Sequence, residues 1–283
     1  MAQPPAPRVS DVRTPFLTAA LRVFDLSLGE MLWSRRTILL LILAVGPVAL
    51  TVAVRILSSA ARFGPVQVNG ARLGGDVLFG LIIWTLFIRF VVPVLGVFYG
   101  TGLIADEVDD KTITYLFTRP IPRGAVLVGK YLAYLACAGL ITLPSVMIIY
   151  FVIVPVASIP ATFPAFVIDL GLILLGLAVY GAVFAWVGAF FRRPLIIGLV
   201  FAFGWEQVAL LVPGYLRRLT VAYYLQALVP QAMPQDSTLG MLQSLFRTMP
   251  TTATSLAWLG VLWLGFLVLA ARAVAAREYI LEP

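Results

Sequence analysis

The chain has 283 residues, 61% of them hydrophobic and only 12% charged, with a formal net charge of +7 at pH 7. That composition excludes a soluble globular domain and a disordered chain, and describes an integral membrane protein. The lack of histidine and the single cysteine, Cys137, exclude internal disulfides and a His/Cys metal site, while basic residues that flank apolar runs speak for anionic lipid and topology, with no nucleic acid.

Residues 1–13 are rich in Pro and Ala and read as a frayed tail. From Thr14 to Arg36, one helical side carries Leu17, Ala20, Leu21, Phe24, Leu28, Met31 and Leu32, with Arg22, Asp25 and Glu30 elsewhere. This pattern predicts an amphipathic helix in the membrane interface, with packing on a soluble partner as the alternative. The apolar run after Arg35 and Arg36 is too long for a signal-peptide core and predicts the first span, Thr37 to Leu57. A loop over Ser58 to Asp76 leads to the second span, Val77 to Ile104, and the third follows at Val126 to Val154. A turn near Ser158 to Pro160 precedes the fourth, Phe163 to Phe191; the Arg192-Arg193-Pro194 turn precedes the fifth, Leu195 to Val212; the sixth is Leu256 to Ala276. The expected fold is thus an all-α membrane protein of six transmembrane helices, with a tail and interfacial helix over 1–36 and a transmembrane domain over 37–283. Pro47, Pro93 and Pro144 predict kinks, and Gly171, Gly176 and Gly181 have the wrong spacing for a G-x-x-x-G motif. Cys137 reads as a small packing residue.

Six spans place both termini on one side. With the N-terminus inside, thirteen Lys and Arg residues fall inside and six outside, Arg89 being within a span, so the positive-inside rule predicts cytoplasmic termini.

Between the second and third spans lies a charged segment, GTGLIADEVDDKTITYLFTRPIPRGAVLVGKY, from Gly100 to Tyr131. Asp106, Glu107, Asp109, Asp110 and Lys111 leave one apolar run, and Arg119, Arg123 and Lys130 approach the next, so the segment sits in water. Ile113, Leu116 and Phe117 fall at i, i+3, i+4, which predicts a short helix with an apolar stripe and an acidic first turn, stopped by Pro120 and Pro122. Such a helix can lay its stripe into a partner's groove. Gly124, Gly129 and Lys130 match part of a phosphate loop, but Tyr131 replaces the required hydroxyl residue and no strand precedes it, so the chain has no nucleotide site of this type.

The run Ile104, Glu107, Thr112, Leu116, Arg119-Pro120, Arg123 and Gly129-Lys130 resembles the cytoplasmic loop of ABC-2 type permeases, the membrane subunits of bacterial ATP-binding-cassette exporters; Lys111 departs from the Gly common at that place. The resemblance implies a permease that is not itself an enzyme. It implies a coupling segment over 105–125 that docks a cytoplasmic ABC ATPase through Asp106, Glu107, Asp109, Asp110, Ile113, Leu116, Phe117 and Arg119. ATP and magnesium would be held by that partner and no cofactor by this chain. It further implies a second permease copy, identical or related, a place in the bacterial inner membrane in contact with the lipid bilayer, and room for a periplasmic factor.

Over 213–255, Tyr215, Leu216, Leu219, Tyr223 and Leu228 lie near one helical face, which predicts short helices dipping into the outer leaflet. The resemblance implies that this outer segment is a re-entrant cap. Arg89 and Glu206 lie near mid-depth of the second and fifth spans; isolated charge there costs about 2.5–3.5 kcal/mol, which predicts that the two pair, either structurally or along the transport path. Asp169, two turns into the fourth span, is expected to reach water or a helix terminus. Two other function classes stay open: a metal-dependent lipid-processing enzyme using the acidic cluster, and an ion-coupled secondary transporter using Arg89 and Glu206.

Overall fold

The computed structural model describes residues 15–60, 67–68, 71–72, 75–109, 123–211, 215–229 and 250–276. Within them the fold is a helical bundle, apart from a two-residue antiparallel ladder that pairs Gln67 with Arg72 and Val68 with Ala71. Five helices are long and apolar enough to cross a membrane: Arg36–Leu57, Leu78–Asp106, Gly124–Ile153, Val156–Phe190 and Thr252–Ala276. A further apolar helical run over 194–211, made of Pro194–Leu199, Val200–Trp205 and Glu206–Leu211, lies where the fifth span is expected. Eighteen residues at 1.5 Å each reach about 27 Å, close to a hydrocarbon core of about 30 Å. Residues 212–214 lie outside the described residues.

Burial orders these helices. The second and fourth spans, Leu78–Asp106 and Val156–Phe190, are 61% and 67% buried, whereas the first and last are 29% and 17% buried. The second and fourth spans form the centre, and the first and last present broad apolar surface to their surroundings. Small residues let the central pair approach closely: a Cβ on Gly96 would lie 2.9 Å from Tyr180 Cβ, and one on Gly100 would lie 2.9 Å from Phe184 Cβ. These two glycines form a G-x-x-x-G sequence, and here it serves a crossing within one chain.

Two tyrosines fasten the third span, within the helix Arg123–Ile153, to the fourth. Tyr131 donates to the carbonyl of Ala178 at 2.6 Å and Tyr134 to that of Leu177 at 2.8 Å, while Trp263 of the last span donates to the Tyr131 hydroxyl at 2.7 Å. At the other end of the same helices Tyr150 stacks on Phe166, with centroids 4.1 Å apart, and Phe79 meets Tyr150 edge-on at 5.2 Å. Buried hydroxyls are thus satisfied while their rings fill the bundle.

The N-terminal helix Phe16–Leu32 departs from the expected single apolar side. It packs on the third span through Ala19, Ala20, Val23 and Ser27, whereas Leu17 and Leu21 remain exposed. The fit is close: a Cβ on Gly129 would stand 2.5 Å from the Ala20 carbonyl oxygen and 2.8 Å from Val23 Cβ. Small residues therefore mark the protein-facing side, and large exposed residues mark an adjoining side. The chain then turns through Trp33 and Ser34. The Ser34 hydroxyl accepts from the Thr37 backbone N–H at 3.2 Å, capping the first span.

The second span is not uniformly α-helical. Ile83–Val91 and Gly96–Gly100 are π-wound, as is Val200–Trp205 in the fifth helix. At the end of the first stretch the Val92 N–H reaches back five residues to the Phe87 carbonyl. Pro93 follows, with no N–H to offer the Arg89 carbonyl four residues back, so wider winding stands where a proline kink is expected.

Candidate docking and transport sites

One end of the bundle is built around the turn between the N-terminal helix and the first span. Thr37 donates to the Met31 carbonyl and shares a hydrogen bond of 2.6 Å with the Tyr99 hydroxyl, which lies 3.5 Å from Cys137 Sγ. One donor assignment satisfies the chain: Cys137 to Tyr99, Tyr99 to Thr37, Thr37 to Met31. Cys137 is thus a buried polar link as well as a packing residue.

Beside this cluster Arg36 binds Asp106 at 2.6 Å, with side chains 50% and 43% exposed. Asp106 belongs to the helix Thr101–Asp109, which continues the second span. The acidic residue closest to the second span therefore holds the start of the first span. Of the remaining expected docking residues, Glu107 and Asp109 lie on this helix, and nothing more of their side chains is described. Asp110, Ile113, Leu116, Phe117 and Arg119 lie outside the described residues. Both legs of the charged segment nevertheless meet N-terminal elements, one at the start of the first span and the other along the N-terminal helix. Asp106 joins the outgoing leg to Arg36, and Gly129 on the returning leg abuts Ala20 and Val23.

Deeper in the bundle, Arg89 lies within the π-wound stretch Ile83–Val91, and Glu206 directly follows the π-wound stretch Val200–Trp205. The expected direct pairing is replaced by bonds to neighbours. Arg89 donates to the Gln207 side-chain oxygen and stands 6.0 Å from the centre of the Trp84 ring. Glu206, 2% exposed, accepts from the Tyr180 hydroxyl and, at 2.9 Å, from the Val221 backbone N–H. Arg89 is near enough to contribute to the electrostatic surroundings of Glu206. A side-chain amide can accept from a guanidinium as well as a carboxylate can in direction, though with less charge. Pairing by charge alone passes over Gln207. Asp169, expected to reach water or a helix end, is fully buried in the first half of Ile159–Phe190.

The described part of the segment over 213–255 also departs from its expected single face. Tyr215 is 80% exposed and Leu219 66%, whereas Val221, Ala222, Tyr224 and Leu225 of the helix Val221–Gln226 are buried in the bundle. Thr220 caps this helix, accepting from the Tyr223 N–H at 3.3 Å. Residues 230–249 of the expected cap lie outside the described residues.

Central helices braced by small residues, polar groups held inside the bundle and broad apolar outer faces define a multi-pass membrane protein. A family model described as ABC-2 family transporter protein matches residues 21–278, and the chain belongs to that family: it is an ABC-2 type permease. A comparison with curated proteins finds no match.

Proposed function

We propose that this permease is the membrane subunit of an ATP-driven exporter, working beside a second permease copy and docking a separate ATPase through the segment over 105–125. ATP and magnesium belong to the ATPase, and both termini and the docking segment face the cytoplasm of a bacterial cell, where the positive-inside rule sets them. Closure of an ATPase pair pushes the docking segments together and shifts the population from inward-open to outward-open spans.

The observation that carries this reading is the bracing of both legs of the charged segment. Force on the segment passes through the Arg36–Asp106 contact to the first span and through Gly129 to the N-terminal helix. Three elements then move together instead of one loop flexing alone. The metal-enzyme alternative is weakened by the same contact, because Asp106 is already engaged by a guanidinium. The test is co-purification of the ATPase with wild type, Leu116→Asp and Phe117→Asp. The permease reading predicts that wild type retains the ATPase and both variants lose it while still inserting, since docking would bury an unpaired charge. Undiminished co-purification with both variants contradicts the docking assignment.

A further inference from the structure

Glu206 is almost wholly buried, yet the groups that it holds come from other helices. One carboxylate oxygen accepts from Tyr180 on the fourth span; the other accepts from Val221, the first residue of the outer helix Val221–Gln226. Six residues make few internal hydrogen bonds, so this helix depends on its surroundings for its position. Those surroundings grip it on several sides. A Cβ on Gly176 would lie 3.2 Å from Val92 Cγ1 and 3.3 Å from Leu225 Cδ1, so Leu225 fills the notch between the second and fourth spans. Tyr224 stacks over Trp258 of the last span, with centroids 6.2 Å apart, and its hydroxyl donates to the Arg218 carbonyl at 2.9 Å.

Apolar wedging is non-directional and tolerates sliding, whereas hydrogen bonds to a buried carboxylate fix register. We propose that Glu206 is a positioning residue: a latch that seats the outer helix in the bundle through Val221 and is itself aimed by Tyr180. Releasing it frees the segment to lift and uncovers the polar groups beneath, among them Tyr180, Gln207 and Arg89. That this opens the outer end of a transport path rests on the permease reading; the seating itself does not.

The experiment uses the full chain in lipid nanodiscs, in a Cys137→Ala background, with a maleimide reagent in solution. Leu225→Cys reports the outer helix, and Ala182→Cys, fully buried in the fourth span, reports the bundle. With Glu206 intact both thiols stay protected. In Glu206→Leu the thiol at 225 is expected to label at least about tenfold faster while that at 182 stays protected, because two buried donors lose their acceptor. Glu206→Gln keeps one acceptor oxygen and gives an intermediate rate. Unchanged protection at 225 in Glu206→Leu overturns the latch. Simultaneous labelling at 225 and 182 also overturns it, since the carboxylate would then hold the whole bundle. No ATPase or cargo is involved, so failure here leaves the docking assignment standing, and loss of docking leaves the latch standing.

Discussion

The two ends of the bundle use the same chemistry in opposite settings. Where the helix Val221–Gln226 is seated, the Glu206 carboxylate is 2% exposed and holds a hydroxyl and a backbone N–H; at the end that carries the N-terminal turn, the Asp106 carboxylate is 43% exposed and holds a guanidinium. Water competes for the second contact and hardly for the first, so contacts of similar length differ in worth. A buried carboxylate specifies one geometry, whereas a half-exposed ion pair can be exchanged at little cost. The Glu206 site is thereby suited to fix one geometry, while the Arg36–Asp106 pair links two spans and adds little stability of its own.

The largest expected effect tests the buried half of that contrast. Glu206→Leu leaves two buried donors unsatisfied at about 1–3 kcal/mol each, and thermal unfolding in detergent should show a clear loss of stability. A midpoint equal to wild type would place the buried site on a par with the exposed one. Between the two ends lies the glycine crossing. Gly100→Leu forces atoms toward Phe184, with an expected cost of about 1–3 kcal/mol in the same assay, whereas Gly260→Ala, with nothing within 4 Å of its added carbon, should be nearly silent.

A smaller effect separates amide from carboxylate. Double-mutant cycles with Leu should give a coupling of at least about 0.5 kcal/mol for Arg89 with Gln207, exceeding that for Arg89 with Glu206, because the first pair shares a hydrogen bond. The reverse order would restore the direct Arg89–Glu206 pairing expected from charge. Smallest is Asp106→Ala, which should cost under about 1 kcal/mol of stability, since the pair with Arg36 is half exposed. A loss as large as that of Glu206→Leu would erase the difference between the ends.

Long apolar runs are legible in a sequence because each backbone satisfies its own hydrogen bonds in a helix and needs no tertiary partner. The first span, expected at Thr37 to Leu57, is Arg36–Leu57, and the third, expected at Val126 to Val154, is Gly124–Ile153. The fifth helix, expected at Leu195 to Val212, runs over 194–211, but its π winding leaves no comparable pattern. The burial of Glu206 and the half-burial of Arg89 follow from the cost of charge in lipid, but their partners do not. Gln207 carries no charge to draw attention, and the Val221 N–H is a backbone group that every residue but proline possesses. The close central crossing does have a sequence signal, Gly96-x-x-x-Gly100, in the second span rather than among the fourth-span glycines. For the N-terminal helix, periodicity marks the apolar residues and not which of them meet protein: Ala20 is buried while Leu17 and Leu21, on the same expected side, are exposed. The stripe of Ile113, Leu116 and Phe117, expected from amphipathic spacing, lies outside the described residues.

The most direct test of the central claim is site-specific photo-crosslinking in the native cell, with a photoreactive residue replacing Phe117 and, as a control, Gln235 in the outer segment. The permease account predicts an adduct between position 117 and a nucleotide-binding subunit carrying a phosphate loop, and none with that subunit from position 235. Attachment of the ATPase at 235, or absence of any ATPase adduct at 117 in a chain that is inserted and intact, would contradict it.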